Sequence, residues 1–331
     1  MAFRDESVPE RIVYFPNEDV MGECAGIRRG NARVRLRLQQ FGSVLLSYES
    51  SHYGPQNREF AKMGATVVSD PMLAAKGSLV MGSPHGSSEE TREAYKRRGV
   101  IFEDLECPLV TFPKKEAKEY ISECLEKGLV PHLEYIGHSG HRETEEFLKD
   151  FRGWVHLIQI EEDIKAHELE GVETIFVAWQ TTLLDVTLIT SALEERYPGR
   201  IRLPKVDYRC FATRNRQNWS GRQINEIQVD LTVVVTDKKS SNGMRLVEAS
   251  ENHQPPLQVL AVMTAKELKG INFREFNRIG VNAAASVPVP RVMEVVEHFA
   301  DLGYRKEEVF VAKEPSLFRD PPVYDWRTSA D

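Results

Sequence analysis

The sequence predicts an α/β fold with parallel sheets, because short apolar runs alternate with charged, helix-like stretches along most of the chain. The runs are Val44–Leu46, Thr66–Val68, Ser78–Val80, Val155–Ile158, Thr174–Ala178, Leu231–Val235 and Leu257–Val262. They are rich in β-branched residues, which favour strands. Strands that alternate with helices at this spacing are typical of parallel βαβ units.

The spacing of three cysteines suggests how many such units there are. A chain of 331 residues exceeds the roughly 150 residues of a typical domain, so two or three compact units are expected. Cys24, Cys107 and Cys210 lie in turn-like segments, separated by 83 and 103 residues, and each spacing is about the size of one small α/β domain. Since ligands gather at the carboxyl ends of parallel strands, three domains around a common axis would deliver one cysteine each to one centre.

Composition and charge limit the kinds of partner. Hydrophobic residues make up 41% and charged residues 28% of the chain, as in ordinary soluble proteins. No window approaches the roughly 18 apolar residues of a membrane helix. The charged segment Met1–Glu10 lacks the apolar run of a secretory signal, so we expect a cytoplasmic protein. A net charge of −7 disfavours nucleic acid and membrane as partners but allows a local pocket for a small anion.

The cysteines have more than one interpretation. Four of them, including Cys124, are too few for a disulfide scaffold in a chain of this length. Composition alone favours buried apolar side chains. Three thiolates from separate segments also suit an iron–sulfur cluster or a zinc ion, although no Cys-x-x-Cys pair is present. A cubane held by three cysteines leaves one iron with an open position, which can act as a Lewis acid toward a substrate hydroxyl.

Polar segments form a second pattern, and several of them directly follow an apolar run. They are Ser-His-Tyr at 51–53, Ser-Pro-His-Gly at 83–86, Gly-His-Ser-Gly-His-Arg-Glu at 137–143, Gln-Thr-Thr at 180–182, Lys-Ser-Ser-Asn at 239–242 and Ala-Ser-Val-Pro at 285–288. Each alone is more typical of a surface loop. Their imidazoles, hydroxyls and amide are donors that hold phosphate oxygens, so their recurrence favours an anion site.

Eight motifs, in order along the chain, resemble those of the LytB family, the 4-hydroxy-3-methylbut-2-enyl diphosphate reductases of isoprenoid biosynthesis. They are Cys-Ala-Gly-Ile at 24–27, His-Gly at 85–86, Cys-Pro-Leu-Val at 107–110, Gly-His-Ser-Gly-His-Arg-Glu at 137–143, Gln-Thr-Thr-Leu at 180–183, Cys-Phe-Ala-Thr-Arg-Asn-Arg-Gln at 210–217, Lys-Ser-Ser-Asn at 239–242 and Ala-Ala-Ser-Val-Pro at 284–288. The resemblance runs from about Ile12 to Lys313, which is nearly the whole chain.

The resemblance implies a trefoil of three small α/β domains around a central [4Fe–4S] cluster bound by Cys24, Cys107 and Cys210. Cys124 matches no ligand of the family. The domain boundaries that we predict are 22–106, 107–208, and 209–310 together with 11–21. Residues 1–10 and 314–331 are predicted to be tails.

The resemblance also implies the residues of the substrate site. The diphosphate ligands would be His52, His85, His141, Ser240, Ser241, Asn242 and Ser286. Glu143 corresponds to the proton-delivering glutamate, and Thr181 lies beside the substrate hydroxyl in the family. The implied reaction removes the allylic hydroxyl of 4-hydroxy-3-methylbut-2-enyl diphosphate to give isopentenyl and dimethylallyl diphosphate, with electrons from a ferredoxin or flavodoxin.

Three departures from the family pattern leave two alternative functions open. The lead into the first cysteine is Val20-Met21-Gly22-Glu23, Tyr53 replaces an asparagine, and Ala284 replaces a glycine. These departures favour, as an alternative, a divergent reductase of another allylic or unsaturated substrate. A second alternative is a non-catalytic iron–sulfur redox sensor or electron carrier, although such a protein has no need of Glu143 and Thr181.

Overall fold

A computed structural model describes residues 10–164, 171–183, 186–252 and 257–312. The described chain forms two compact units. The first unit takes its residues from 1–29, 51–62 and 211–331, and the second comprises 30–50 and 63–210. Apart from Glu10, the predicted tails lie outside the described residues.

Strands and helices alternate along most of the described chain. The strands are β1 (Ile12–Pro16), β2 (Val44–Leu46), β3 (Ala65–Val67), β4 (Leu79–Met81), β5 (Ile101–Glu103), β6 (Leu133–Ile136), β7 (Val155–Ile158), β8 (Ile175–Trp179), β9 (Ile201–Arg202), β10 (Leu231–Val235), β11 (Gln258–Val262), β12 (Arg278–Ala283) and β13 (Arg305–Val309). The helices are α1 (Ala25–Phe41), α2 (Gly54–Lys62), α3 (Glu89–Arg97), α4 (Pro108–Glu126), α5 (Arg142–Asp150), α6 (Thr187–Arg196), α7 (Phe211–Arg222), α8 (Ser241–Glu251) and α9 (Val289–Asp301).

The strands form three sheets, and every pair of neighbouring strands within them is parallel. The first unit contains one five-stranded sheet, in the order β11-β10-β12-β1-β13. The second unit contains two four-stranded sheets, ordered β3-β2-β4-β5 and β7-β6-β8-β9. The predicted α/β class with parallel sheets is therefore confirmed. The boundaries of three domains around one cluster stay a prediction.

Helix α9 illustrates how the five-stranded sheet of the first unit is covered. Val292, Val295, Val296 and Phe299 follow the helical spacing of i, i+3, i+4 and i+7, and all four are fully buried. They pack in one apolar cluster with residues of β1, β10 and β12. Burying each such side chain stabilises the unit by about 1.5–3 kcal/mol relative to leaving it exposed.

The second unit has an aromatic core beneath α4 and α5. Tyr135 and Phe147 stack with their ring centroids 4.3 Å apart, and Tyr120 stacks on Phe176. Cys124 lies in the same cluster with a residue exposure of 6%. Its thiol is thus part of the apolar packing, as the interpretation of Cys124 as a non-ligand requires.

No helix among the described residues is both long and apolar enough to cross a membrane.

Candidate active site

The three cysteines predicted to be ligands occupy equivalent local positions. Cys24, Cys107 and Cys210 are each half-buried, and each comes immediately before the first residue of a helix, namely α1, α4 and α7. The N-terminal end of a helix carries a partial positive charge, which attracts anionic groups. At Cys24 the Ile27 N–H also points at the sulfur, 3.5 Å away. The positions therefore suit sulfur atoms that act as anionic ligands.

The backbone of each cysteine is fixed to a loop that follows a strand. The bonds run from Cys24 N–H to the Ala285 carbonyl (2.8 Å), from Cys107 N–H to the Pro84 carbonyl (2.9 Å) and from Cys210 N–H to the Thr181 carbonyl (2.7 Å). The three acceptors follow β12, β4 and β8, one strand from each sheet. Each acceptor loop also carries a predicted substrate residue, namely Ser286, His85 or Thr181. In all three cases the backbone of the cysteine is therefore hydrogen-bonded to the loop that holds a substrate residue.

This donor set fits a metal–thiolate centre. None of the four cysteines, all of which are described, forms a disulfide. The three that precede helices are accessible and the fourth is packed in the core. Soft thiolate ligands select iron–sulfur clusters, zinc or copper rather than hard cations.

Two hydrogen bonds join Glu143 and Thr181 in the second unit. Glu143 is the second residue of α5 and Thr181 follows β8 by two residues. The Thr181 N–H donates to Glu143 Oε1 (2.7 Å), and the Thr181 hydroxyl donates to Oε2 (2.9 Å). The Tyr135 hydroxyl lies 3.5 Å from Oε1. Both oxygens of this carboxyl group are therefore held in a defined orientation.

Burial gives this carboxyl group an unusual affinity for a proton. Glu143 is 2% exposed, and the loss of solvation raises its pKa to about 7. The hydrogen bonds from Thr181 and the charge of Lys114 oppose that rise, while the negative charge of Glu106 adds to it. A carboxyl group with a pKa near neutrality can both hold and release a proton under ordinary conditions, as a general acid must.

Two predicted phosphate ligands, His85 and His141, contact each other, and His141 lies two residues before Glu143. His141 directly precedes α5, and its ring approaches the His85 ring edge-on with centroids 6.1 Å apart. His85 lies in a tight turn in which Gly86 N–H donates to the Ser83 carbonyl. Gly86 has a φ of +97°, and a Cβ there would lie 2.5 Å from a carboxylate oxygen of Glu106. Glycine is therefore required for this turn.

The first unit contains a second group of predicted ligands, with polar hydrogens directed into buried space. Asn242 Oδ1 accepts the Ala285 N–H (3.0 Å), which fixes the orientation of the amide. The other end of that amide, Nδ2, and the hydroxyl of Ser286 are buried and have no hydrogen-bond partner among the described residues. Since buried polar atoms are rarely left unpaired, these two donors are typical of a site that awaits a ligand.

Asp237 connects two further predicted ligands to the same group. Its carboxylate accepts Gly54 N–H (3.1 Å), two residues after His52, and Lys239 N–H (3.0 Å), one residue before Ser240. Ser240 begins α8 as its N-cap, where its hydroxyl accepts Gly243 N–H (3.2 Å). The loop that carries His52 is thereby held beside the turn that starts α8.

The structure thus brings the predicted residues together in two groups, one in each unit. His85, His141, Glu143 and Thr181 are linked in the second unit, together with Cys107 and Cys210. His52, Ser240, Asn242 and Ser286 are linked in the first unit, together with Cys24. Ser241, the first residue of α8, is half-buried next to Asn242.

The departures from the family pattern have structural explanations within the first unit. Tyr53 is fully buried in the apolar core, where its hydroxyl donates to the Met263 carbonyl (2.6 Å). Ala284 is also fully buried, and a Cβ at Gly243 would lie 3.0 Å from its methyl group. The side chain of Tyr53 therefore packs in the core, and the Ala284 methyl faces the start of α8.

Two residues that support the site were missed by sequence reasoning. Asp237 is one of them, and its signal is an acidic residue two positions after a mostly apolar strand and before a turn. Arg216 is the other. It is 3% exposed and donates to the carbonyls of Ala283 (3.1 Å) and Gly22, so it fastens the lead into Cys24 to the end of β12. Its sequence signal is its place in the family-like segment 210–217, to which no role for Arg216 was attached.

Comparison with known proteins identifies similar sequences. A sequence model of the family described as LytB protein matches residues 17–300. The 4-hydroxy-3-methylbut-2-enyl diphosphate reductase of Shewanella pealeana is 32% identical over 287 residues, covering 85% of this chain and 89% of the relative. The enzyme of the same name from Actinobacillus succinogenes is 31% identical over 307 residues, covering 91% and 94%.

Solved structures give the same comparison at the level of the fold. The E-1-hydroxy-2-methyl-but-2-enyl-4-diphosphate reductase of Plasmodium falciparum superposes with a TM-score of 0.81 at 25% identity, covering 95% of this chain and 96% of that one. A second structure, of an (E)-4-hydroxy-3-methyl-but-2-enyl diphosphate reductase, gives 0.60 at 22% identity, covering 89% and 100%. The second likeness shows the fold alone.

Proposed function

This chain belongs to the LytB family, and we propose that it is a 4-hydroxy-3-methylbut-2-enyl diphosphate reductase. The observation that carries the proposal is the buried Glu143 carboxyl group, which Thr181 orients while the Thr181 carbonyl accepts the backbone N–H of Cys210. A proton donor is thereby fixed to the loop that holds a candidate cluster ligand. Relatives with this activity cover most of the chain at 31–32% identity, which supports the same assignment.

The proposed reaction breaks the allylic C–O bond and forms a C–H bond. It consumes two electrons and two protons per substrate and releases one water. Cys24, Cys107 and Cys210 would hold a [4Fe–4S] cluster, because each is a half-buried thiol at the start of a helix. When bound, such a cluster supplies the electrons and an open coordination position at the iron that no cysteine ligates.

Two groups of donors would hold the diphosphate. Asn242 Nδ2 and the Ser286 hydroxyl are buried donors without a partner among the described residues, and Ser240 and Ser241 stand at the same helix start. A helix N-terminus adds backbone N–H groups and a favourable dipole for an anion. His52, His85 and His141 would complete the set, since a protonated imidazole donates strongly to a phosphate oxygen.

Glu143 and Thr181 would carry out the proton chemistry. The protonated Glu143 would deliver a proton to the leaving oxygen, for which its pKa of about 7 is suited. The Thr181 hydroxyl would orient the substrate hydroxyl while its N–H keeps the carboxyl group in place. The surrounding burial excludes bulk water, which strengthens these hydrogen bonds and protects the reduced site from competing proton transfer.

The electron donor and the compartment are proposed with the reaction. We propose a ferredoxin or flavodoxin as the donor, since the reaction needs low-potential electrons from a protein that can approach the site. We propose a cytoplasmic location, because the cluster needs a reducing environment.

An anaerobic turnover assay tests the proposal. The cluster-loaded protein, a strong artificial reductant and 4-hydroxy-3-methylbut-2-enyl diphosphate should give isopentenyl and dimethylallyl diphosphate. A loaded protein that binds the diphosphate but does not turn it over would support a divergent substrate instead. A loaded protein that neither binds nor turns over the diphosphate would support the redox-sensor alternative.

A further inference from the structure

Two histidines and a glutamate form a compact cluster at the amino end of the sheet that contains β6, β7 and β8. His132 immediately precedes β6, Glu134 is its second residue, and His156 is the second residue of β7. Their ligand atoms all lie within 4.8 Å of one another. The candidate active-site residues of this sheet instead follow the carboxyl ends of β6 and β8. Four residues of strand span about 13 Å, so the cluster is a separate place in the fold.

The register of the strands explains why the three side chains meet. His132 and Glu134 are two positions apart, so their side chains lie on the same face of the sheet. Glu134 pairs directly with His156 across the parallel strands β6 and β7. One strand thus supplies two ligands at i and i+2, and its neighbour supplies the third. Such positions are fixed by backbone pairing rather than by flexible loops.

The distances suit a small cation. His132 Nε2 lies 2.9 Å from Glu134 Oε1, and His156 Nδ1 lies 3.9 Å from the same oxygen. The two imidazole centroids are 4.8 Å apart. In a tetrahedral zinc site, with bonds of about 2.0–2.1 Å, neighbouring ligand atoms are about 3.3 Å apart. The two distances from Glu134 Oε1, 2.9 and 3.9 Å, lie on either side of that spacing.

The burial of Glu134 makes this cluster a favourable place for a divalent ion. The side chain of Glu134 is 2% exposed, and a carboxylate so far from water needs close positive charge. A divalent ion bound by the two imidazoles would place that positive charge beside the carboxylate. The His156 side chain is 48% exposed, which leaves a path for the ion and room for a water as the fourth ligand.

We propose that His132, Glu134 and His156 form a zinc-binding site of the two-histidine, one-carboxylate type, distinct from the cysteine centre. Imidazole and carboxylate ligands together suit Zn²⁺, and three protein ligands with one exchangeable position are a common zinc arrangement. The ion would tie β6 to β7 at the amino end of the sheet. These three residues have no role in the proposed reaction. A test of zinc binding is therefore independent of a test of reductase activity.

Metal titration of the cluster-loaded protein tests this site directly. Zn²⁺ binding is measured by equilibrium dialysis with metal analysis, and Co²⁺ serves as the spectroscopic probe. The wild type should bind one additional ion, with the ligand-field bands of a nitrogen and oxygen site and without a thiolate-to-cobalt charge-transfer band. His156→Ala, at an exposed position, should lower the affinity by about 100-fold or more, since even loss of a supporting contact costs 10–100-fold. Glu134→Gln should weaken binding similarly.

A second readout uses stability. Zn²⁺ that binds only the folded protein raises the Tm of the wild type. The Tm of His156→Ala should not respond to the same zinc concentration, whereas His298→Gln, a half-buried histidine outside the cluster, should respond like the wild type. Equal zinc affinity in the wild type and His156→Ala would overturn the proposal. So would a cobalt spectrum dominated by thiolate charge transfer, because the ion would then be at the cysteines.

Discussion

Thr181 holds both oxygens of the Glu143 carboxyl group, through its N–H at 2.7 Å and its hydroxyl at 2.9 Å. The carbonyl of the same threonine accepts the backbone N–H of Cys210 at 2.7 Å. One residue therefore sets the position of the proposed proton donor relative to the backbone of a proposed cluster ligand. The contacts predict that changes at Glu143 affect chemistry without disturbing the cysteine.

Glu143→Gln should separate chemistry from binding. The amide keeps nearly the shape of the carboxyl group and can still accept a hydrogen bond from Thr181, but it has no proton to transfer. We expect the cluster and the substrate affinity to persist while kcat falls by about 10²-fold or more. Single-turnover consumption of 4-hydroxy-3-methylbut-2-enyl diphosphate by the reduced protein measures this.

Glu145→Gln is the matched control for that substitution. Glu145 lies on the same helix two residues later, and its carboxylate accepts the N–H of Gly140 (2.9 Å) rather than that of Thr181. Its rate should stay within a few-fold of the wild type. Near-equal rates for the wild type and Glu143→Gln would remove Glu143 from the mechanism.

The raised pKa of Glu143 also predicts a pH dependence of stability. Burial raises this pKa from 4.5 to about 7, so the folded protein holds a proton that the unfolded chain releases. The associated stability is fully present below about pH 4.5 and is lost as the pH rises through about 7. Relative to Glu143→Gln, the wild type should lose about 3 kcal/mol over that interval. Comparing the Tm of the two proteins between pH 5 and 8 isolates the effect, and parallel curves would contradict it.

The buried donors of the first unit predict a loss of diphosphate affinity in Asn242→Ala and Ser286→Ala. Each substitution removes one donor whose orientation or burial suits a phosphate oxygen. Binding should weaken by about 1–3 kcal/mol, the usual cost of a lost charge-assisted bond, with the cluster retained. Asn252→Ala, at the exposed end of the same α8 helix, is the control. Calorimetry with inorganic diphosphate measures all three, and unchanged affinity in Asn242→Ala would exclude this pocket.

The positions of the cysteines predict which thiols hold the cluster. Cys24→Ser, Cys107→Ser and Cys210→Ser should each abolish an oxygen-sensitive [4Fe–4S] cluster, because each thiol occupies the start of a helix. Cys124→Ala should keep it, since Cys124 is packed in the apolar core. Iron and sulfide analysis of anaerobically purified protein decides between these outcomes. A stable cluster in Cys210→Ser would refute the ligand assignment.

Sequence patterns predicted seven strands of the described chain and missed six. Apolar, β-branched runs gave β2, β7 and β10 with the observed bounds and four other strands to within one residue. The edge strand β13 has the sequence Arg-Lys-Glu-Glu-Val, and β6 carries the buried Glu134. β13 has no apolar run, and in β6 the charged Glu134 interrupts one. Pairing with neighbouring strands outweighs their local composition.

The site could be predicted as residue types but not as contacts. Histidine, serine and asparagine at strand ends indicate an anion site before any fold is known. The bridging role of Asp237, which accepts N–H groups from two loops far apart in sequence, depends on tertiary structure. The same holds for Thr181. The spacing of the motifs does not predict the two hydrogen bonds that it donates to Glu143 or the one that it accepts from Cys210.

The loop that leads into Cys24 requires glycine at position 22. Gly22 has a φ of +84°, and a Cβ there would lie 2.3 Å from a methyl group of Val289. Gly42 is a matched control, because its φ is +71° but nothing lies within 4 Å of a Cβ at that position. Gly42→Ala should therefore cost only the left-handed backbone strain of about 1–2 kcal/mol. Gly22→Ala adds the steric overlap with Val289, for a total of about 2–5 kcal/mol. It should also lower cluster content, since Gly22 is two residues from Cys24. Thermal unfolding and iron analysis of both variants measure the difference, and equal losses in the two would show that Val289 moves aside without cost.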